Sequence, residues 1–272
     1  MLTGMTDADW TQVVEIFRAC CSRRGDKGRD DRRFLEAIHY FAVHNITLRA
    51  LPTTFGKGNS VWKRCLTPEP GGRVRGVLRG ARQPQPHRSP RADVRLHGGA
   101  GARLGGRRQR GQHGQALGRS RGGFSTKIHL KVDLDGLPLA FHLTEGQAGD
   151  SPQFEILLDL GPDITPRAGV GDKGGACPWA GQRPDPRDSK GNRSAARQRG
   201  ICPVIPFKSS AKSRPTFFPK ALYRARARIE QTVGKLKRFK RIALRCEKTA
   251  QNFGSVVAFA LGLIIVKSVH TA

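Results

Sequence analysis

The chain is poor in acidic and aromatic side chains. Its 272 residues include 21 Asp and Glu against 49 Lys and Arg, and Phe, Trp and Tyr together make up 7% of them. The net charge of +28 argues against an enzyme that binds small acidic metabolites and favours a polyanionic partner. DNA or RNA is therefore the first expectation. Charge alone leaves two alternatives open, a basic RNA-binding protein and a solvated basic surface without a nucleic-acid role.

The chain also lacks the cysteine spacing of a zinc site, a signal peptide and a long apolar run. Its six cysteines form no Cys-x2-Cys pair and no cluster with histidine at zinc-ligand spacing, so no zinc finger is expected. The first ten residues are polar and mixed. The apolar run 253–266 contains 14 residues, whereas a membrane-spanning helix needs about 20. We therefore expect no membrane partner, a cytoplasmic protein, and a buried helix or strand at 253–266.

The first 65 residues predict a small helical domain, because apolar residues recur at spacings of three and four in 6–22 and 30–44. Two shorter helical segments, 47–56 and 60–64, meet at a Gly-Lys-Gly turn. A helix, a glycine turn and a second, basic helix indicate a helix-turn-helix DNA-binding domain. An ordinary helical bundle fits the same pattern. In the DNA-binding interpretation, the residues near phosphates or base edges are Lys57, Lys63 and Arg64.

The segment 66–117 differs from the rest in composition. It has no aromatic residue, its only acids are Glu69 and Asp93, and Arg, Gly and Pro dominate it. Such a segment buries too little apolar surface to offset its ordering entropy, so we expect it to be disordered. Asp93 lies in it without a strand pattern around it.

The segment 118–272 predicts a mixed α/β domain. Apolar and polar residues alternate in 124–133 and again in 137–143, which indicates a β-hairpin. A proline at a first-turn position and an apolar stripe predict a helix at 150–160. Later elements of this segment are expected as short strands at 168–171 and 202–207 and a helix at 219–237.

The last of these helices carries one carboxylate among many cations. Tyr223, Arg226, Glu230 and Lys237 lie at i, i+3, i+7 and i+14, which places them along one stripe of a continuous helix. A lone acid on a basic stripe fits a metal ligand that faces a phosphate backbone. The alternative is a solvated helix in which Glu230 pairs with arginines four residues away.

The spacing Tyr223-x2-Arg226-x3-Glu230-x6-Lys237 resembles the Y-(2)-R-(3)-E-(6)-K signature of insertion-sequence transposases of the DDE class. The resemblance continues upstream in 118–129, 143–150 and Gly171-Asp-Lys-Gly174, and more loosely in 1–64. Residues 66–117 do not resemble the family.

The resemblance implies an RNase H-like catalytic domain after the helical domain, and a transposase that acts on terminal inverted repeats and target DNA. It also implies a nucleoid-associated location in a bacterium, and we add a homodimer as an expectation. The catalytic carboxylates would be Asp172 and Glu230, which would bind Mg²⁺ or Mn²⁺. Tyr223 and Arg226 would position the DNA, and Lys237 would contact a phosphate.

The chain departs from the family in one functionally important segment. There the family has its first catalytic aspartate, which is part of an Asp-Ser-Thr motif. If the codons of residues 93–99 are read one base later, the genetic code permits Met-Phe-Asp-Ser-Thr-Val, with the aspartate codon starting within the codon of Arg95. The same offset over 68–80 permits an amphipathic helix. We therefore interpret 66–117 as a frameshift product, and a native disordered linker stays open. With this aspartate absent, the RNase H-like domain would be incomplete and the copy catalytically defective.

A second departure follows Asp172. Residues 175–187, with three prolines, stand where the family has one tyrosine, and this insertion would displace the Asp172 carboxylate. The predicted organisation is thus a helical DNA-binding domain (1–65), a disordered segment (66–117) and an RNase H-like domain (118–272). Two other functions stay open, a non-catalytic DNA-binding protein derived from a transposase and a basic RNA-binding protein.

Overall fold

The computed structural model describes residues 4–20, 30–66, 93–103, 114–120, 123–162, 165–171, 189–207, 215–224 and 226–269. The chain divides into two compact units. The helical unit comprises Met1–Gln85, Ala102–Gln115 and Lys235–Ala272, and the sheet unit comprises Pro86–Gly101 and Ala116–Gly234. The segment 118–272 is therefore divided between the two units.

The described part of the chain contains both helices and strands. Among the described residues the helices are α1 (Asp7–Ala19), α2 (Asp31–His44), α3 (Gly58–Leu66), α4 (Gln153–Asp159), α5 (Ser189–Gln198), α6 (Lys220–Arg224), α7 (Ala227–Lys237), α8 (Lys240–Ala243) and α9 (Ala250–Val269). The strands are β1 (Asp93–Arg103), β2 (Gly118–Ser120), β3 (Gly123–Val132), β4 (Pro138–Glu145), β5 (Ala168–Val170) and β6 (Cys202–Val204). Two 3₁₀ turns, Leu48–Ala50 and Thr53–Phe55, precede α3.

The first two helices begin close to their predicted first residues, and each start is capped by a side chain. The Thr6 hydroxyl accepts a hydrogen bond from the Asp9 amide at 3.2 Å, and the Asp9 carboxylate accepts one from the Thr6 amide at 2.8 Å. The Asp30 carboxylate accepts a hydrogen bond from the Arg33 amide at 2.9 Å and starts α2. These bonds satisfy amides that a helix start leaves without an intrahelical partner. The predicted helices 6–22 and 30–44 are therefore confirmed, although α1 ends at Ala19 and residues 21 and 22 are outside the described part.

The core of the helical unit forms between apolar faces of α1, α2 and α9. Helix α1 packs against α2 and α9, and α2 also packs against α3 and α8. The rings of Phe17 and Phe34 lie 5.8 Å apart between α1 and α2. The other buried apolar residues of these two helices include Trp10, Val13, Leu35, Ile38 and Phe41.

Helix α9 contains the apolar run 253–266 and extends beyond it at both ends, to 20 residues. Its length and composition would allow it to cross a membrane, and it is the one such helix in the described part of the chain. In its most apolar window, 67% is buried inside the structure. This burial confirms the expected buried element and corrects its predicted length.

The sheet of the second unit has parallel and antiparallel strands in the order β2-β3-β1-β5-β6, with β4 also paired to β3. Strands β3 and β4 form the predicted antiparallel hairpin, in which Ile128 faces Leu143. Strand β5 pairs in parallel with both of its neighbours, β1 and β6. The short strands predicted at 168–171 and 202–207 are thus confirmed as β5 and β6, each three residues long.

Strand β1 overturns part of the prediction for 66–117. Residues 93–103 form a strand between β3 and β5, so the expectation of disorder is wrong for them, and so is the expectation that Asp93 is outside a strand. The sheet therefore does not lack a strand before β3. Backbone pairing with two neighbours outweighs the weak strand propensity of this glycine-rich sequence. Residues 67–92 and 104–113 are outside the described part.

The predicted helix 219–237 is interrupted. It consists of α6 and α7, which meet at a turn closed by a hydrogen bond from the Arg226 amide to the Tyr223 carbonyl at 3.0 Å. The prediction of one continuous stripe from Tyr223 to Lys237 is therefore corrected. Helix α4 also starts later than predicted, after Pro152, without a side-chain cap.

Candidate active site

Strand β5 is the buried strand that leads to the predicted catalytic residue Asp172. Ala168 and Val170 form an apolar cluster with Val204 of β6. The Gly171 amide donates to the Val204 carbonyl at 3.3 Å and continues the strand pairing by one residue. Asp172 comes next, outside the described residues, as does the insertion 175–187. The role of Asp172 stays a prediction.

Helix α7 presents Glu230 on its exposed side and buries the opposite side. Ile229 and Val233 are buried, whereas 58% of the Glu230 side chain is exposed. The buried Thr232 hydroxyl donates a hydrogen bond to the Gly136 carbonyl at 2.5 Å. Gly136 lies in the turn between β3 and β4, with a φ of 85° that favours glycine. The helix that carries Glu230 is therefore attached to the β3–β4 hairpin.

Glu230 forms an ion pair with Arg226 one turn earlier. The Arg226 Nη2 atom lies 3.3 Å from Glu230 Oε1, and the two side chains are 38% and 58% exposed. This is the pair that the solvated-helix interpretation predicts. Exposed ion pairs are weak because water screens them, so the pair leaves the carboxylate accessible to a competing cation. Both interpretations of Glu230 remain compatible with this geometry.

The two ends of the signature lie in different surroundings. Tyr223 on α6 is half-buried and packs against the cluster formed by Ala168, Val170 and Val204. Lys237 is exposed at the last position of α7. DNA contacts of these residues stay predictions.

The described residues contain no group of three or more His, Cys, Asp or Glu side chains that could hold a metal ion. This set includes Glu230 but not Asp172. The exposed Glu230 carboxylate is a hard oxygen ligand, and Mg²⁺ binds through one or two carboxylates together with water and phosphate oxygens. The donor chemistry of Glu230 and Asp172 therefore fits Mg²⁺ or Mn²⁺.

The segments 118–129 and 143–150, both part of the resemblance, fold against each other. The Gly146 amide donates to the Ser125 carbonyl at 3.0 Å. A Cβ atom at Gly146 would lie 2.0 Å from the Ser125 Oγ atom and 2.9 Å from the Ser125 carbonyl oxygen. Only glycine allows this approach, so Gly146 is required by packing rather than by chemistry.

Lys127, His129 and Asp150 form a polar group at this junction that the sequence analysis did not predict. The Lys127 Nζ atom donates to Asp150 Oδ1 at 3.0 Å and to the Ala148 carbonyl at 2.7 Å. His129 is fully buried, with Nε2 2.7 Å from Thr144 Oγ1 and Nδ1 3.9 Å from Asp150 Oδ1. The group holds the loop after β4 against β3. The available signal was the two-residue spacing of Lys127 and His129, which places both on one face of β3.

The predicted DNA-contacting residues of the helical unit separate into exposed and buried ones. Lys57 and Lys63 are exposed. Arg64 is only 9% exposed, its guanidinium pairs with the Asp31 carboxylate, and it stacks over the Phe34 ring at 4.4 Å from the centroid. The prediction that Arg64 lies near phosphates is therefore corrected, because its charged group points into the bundle and is already paired.

Comparison with known proteins confirms the resemblance to insertion-sequence transposases in both parts of the chain. Residues 91–264 match a family model described as "Transposase DDE domain", and residues 5–67 match one described as "Putative transposase of IS4/5 family". A protein of Brucella ovis named "Putative transposase for insertion sequence element IS6501" is 37% identical over 142 residues, which cover 52% of this chain and 97% of that protein.

The chain belongs to the DDE transposase family. A second relative, "Putative transposase for insertion sequence element IS402" of Burkholderia cepacia, is 31% identical over 156 residues, or 54% of this chain and 65% of that protein. No solved structure matches the chain. The match to the DDE transposase domain model begins at residue 91, before β1. The match therefore includes 91–117, which the sequence analysis placed outside the resemblance.

Proposed function

We propose that the protein is an insertion-sequence transposase that cuts and joins DNA at terminal inverted repeats with divalent metal ions. The observation that supports this proposal is the match to the DDE domain model. Within the matched residues, strand β5 leads to Asp172 and helix α7 carries Glu230. DDE transposase domains are RNase H-like in general, and the mixed sheet with parallel β1, β5 and β6 fits that fold. A cytoplasmic, nucleoid-associated homodimer is part of the proposal.

Asp172 and Glu230 would hold Mg²⁺ or Mn²⁺. When bound, the metal ions activate the attacking oxygen and stabilise the leaving oxygen of the phosphodiester. The basic residues of the signature would act on the DNA itself. Arg226 offers a planar guanidinium that fits two phosphate oxygens, and Lys237 offers a point charge.

The first carboxylate would belong on β1, at the position of Arg95. The Cα atom of Arg95 pairs with that of Val170 in the parallel β1–β5 register, and Asp172 follows Val170 by two residues. Neighbouring strands lie about 4.8 Å apart, so an aspartate at position 95 would be on the strand next to the one that leads to Asp172. We propose that this copy lacks its first catalytic carboxylate because of the frameshift and is therefore defective.

Nicking of DNA that carries the terminal inverted repeat tests these statements. The chain as it stands should bind the repeat without cutting it in Mg²⁺ or Mn²⁺. A chain with the shifted frame restored over 68–99, which puts an aspartate at position 95, should nick the repeat. Adding Glu230→Gln to the restored chain should abolish nicking and leave DNA affinity within a few fold, because a single exposed ligand is changed to its neutral isostere.

Each alternative outcome contradicts a separate statement. If the unrestored chain nicks the repeat and Glu230→Gln abolishes this nicking, the proposed catalytic defect is contradicted. Failure of the restored chain to nick, while it still binds the repeat, would contradict the frameshift. Nicking that survives Glu230→Gln would contradict the metal-ligand role of Glu230.

We further propose that the segment 47–56, which forms two 3₁₀ turns rather than the predicted helix, and α3 make up the helix-turn-helix element that recognises the terminal repeat, with Lys57 and Lys63 at the DNA. Both lysines are exposed, and charge complementarity to the phosphate backbone supports this assignment. Binding to repeat and unrelated DNA is compared over increasing salt. If affinity for repeat DNA and for unrelated DNA falls equally with salt, or if the chain prefers RNA, the basic RNA-binding alternative is favoured instead.

A further inference from the structure

The segment 47–56 of the helical unit has a buried side and an exposed polar side. Leu51 and Phe55 are buried in the unit. The exposed residues of the segment include Thr47, Arg49, Thr53 and Thr54. Threonine and arginine side chains can hydrogen-bond base edges, so the orientation of the segment would decide which bases they reach.

Arg241 on α8 holds the residues that lead into this segment. Its Nη1 atom donates to the Ile46 carbonyl at 3.3 Å and to Asn45 Oδ1 at 3.4 Å. Asn45 ends α2 in the left-handed conformation, with a φ of 53°, so the chain changes direction there. The guanidinium is therefore bound to the point where the chain leaves α2 and enters the segment.

The Arg241 guanidinium is itself held by two further partners. Its Nε atom pairs with the Glu247 carboxylate, and its central carbon lies 3.8 Å from the centroid of the Phe41 ring. The side chains of Arg241 and Glu247 are only 16% and 9% exposed. The cations that precede Arg241 on the chain are exposed, namely Lys237, Arg238 and Lys240. Unlike them, Arg241 directs its charge to groups of the protein.

The segment is held at its other end by an arginine that is close in sequence. Arg33 on α2 donates to the Thr54 carbonyl at 2.5 Å and to the Thr53 carbonyl at 3.3 Å. Arg241, in contrast, lies 195 residues after Ile46. The C-terminal part of the chain thus contributes to how the segment 47–56 leaves α2.

We propose that Arg241 is a positioning residue for recognition of the terminal repeat, which orients the segment 47–56 through Asn45 and Ile46 and is held in place by Glu247. This inference rests on the proposed function, because the segment matters here as part of the helix-turn-helix element. The preference for repeat DNA depends on Arg241 and Glu247, although neither side chain contacts a base or a phosphate.

Binding of the full chain to repeat DNA and to unrelated DNA of the same length, over a range of salt, tests the inference. The ratio of the two affinities reports base recognition, and the slope against salt reports phosphate contacts. Arg241→Lys keeps the charge but loses the planar guanidinium that bonds and stacks at the same time. It should lower the ratio about tenfold, the size of one lost charge-assisted hydrogen bond, and leave the slope unchanged.

Glu247→Gln distinguishes positioning from direct DNA contact. It removes a negative charge, so it cannot remove a contact to a phosphate, and in a purely electrostatic role it would leave the ratio unchanged. Positioning predicts that the ratio falls as in Arg241→Lys. If Arg241→Lys keeps the ratio while Arg241→Ala lowers the slope by about one ion, Arg241 contacts a phosphate and the inference is overturned.

Val13→Ala is the control for a general loss of stability. Val13 is buried in the same unit, on α1, which carries no part of the segment 47–56. It should lower the melting temperature and leave the ratio unchanged when binding is measured well below that temperature. An equal loss of ratio in Val13→Ala and Arg241→Lys would show that any loosening of the unit has this effect, and the inference would be abandoned.

The unmodified chain and Lys63→Ala separate this inference from the proposed function. If the unmodified chain does not prefer the repeat, the helix-turn-helix assignment fails and the inference fails with it. If the chain prefers the repeat and Lys63→Ala lowers the salt slope, the assignment is supported. Unchanged ratios in Arg241→Lys and Glu247→Gln would then overturn the positioning role alone.

Discussion

Replacement of Arg64 by alanine distinguishes a structural role of this side chain from the DNA-binding role that its place on a basic helix predicts. In the structure its guanidinium is buried, pairs with the Asp31 carboxylate and stacks over Phe34. Arg64→Ala should therefore unfold the helical unit at lower denaturant concentration. It should leave the salt dependence of DNA binding by the folded protein unchanged.

The magnitude follows from what Asp31 retains. A hydrogen bond to a charged group contributes about 1.5–3 kcal/mol, and removing one partner of a fully buried pair costs about 3–5 kcal/mol. Asp31 is 15% exposed and keeps a second partner, because Arg18 Nε lies 2.7 Å from its Oδ2 atom. The loss should therefore fall below the fully buried case, at about 2–3 kcal/mol in the free energy of unfolding.

The loss should also depend on pH. Burial by itself raises the pKa of the Asp31 carboxyl, but hydrogen bonds from Arg18 and Arg64 outweigh burial and the pKa is lowered overall. Such a carboxyl stabilises the fold above its unfolded pKa of about 3.9 and loses this contribution as pH falls through the folded value. The difference between the unmodified chain and Arg64→Ala should be complete above about pH 5 and shrink below about pH 4.

Urea unfolding followed by tryptophan fluorescence measures this difference, since Trp10 is 2% exposed in the core of the same unit. Lys63→Ala is the matched control on the preceding, exposed position. It should change stability little and reduce the slope of DNA affinity against salt by about one ion. The reasoning is refuted if Arg64→Ala keeps the unmodified stability and instead reduces the salt slope.

Two more outcomes are expected at α7. Thr232→Val removes the hydroxyl that donates to the Gly136 carbonyl and leaves a buried acceptor unpaired, so it should destabilise the sheet unit by about 1–3 kcal/mol in urea unfolding. Thr232→Ser keeps the hydroxyl and should recover most of this stability. Equal losses in both variants would show that the methyl group matters instead. Lys237→Ala should lower the salt slope of DNA binding by about one ion while Lys237→Arg keeps it, and an unchanged slope in Lys237→Ala would remove Lys237 from the DNA contacts.

The parts of the fold that local pattern predicts are those whose residues are close in sequence. Thr6 and Asp9 form a cap within one turn, and the alternation in 124–143 specifies both strands of the hairpin and its turn at Gly136. The spacing from Tyr223 to Lys237 identified the family, because a signature is a property of the sequence itself.

Other features could not be predicted because they depend on partners far along the chain. The sequence from 93 to 103 has the composition of a disordered segment, yet it pairs with β5, whose first residue is Ala168. Arg64 reads as a surface cation on a basic helix, but Asp31, 33 residues earlier, draws it into the bundle. In both cases a long-range pairing outweighs a local preference that is smaller in free energy.

The sequence by itself determined the charge of the protein, its family, the two helices and the hairpin, and the identity of Glu230 as the one acid of the signature. Only the tertiary structure decided that β1 completes the sheet beside β5, that Arg64 is buried and paired with Asp31, and that Tyr223 packs against the β5–β6 cluster. Periodicity specifies which face of an element is apolar. What covers that face, and which charge is paired there, is decided when distant segments meet and exclude water.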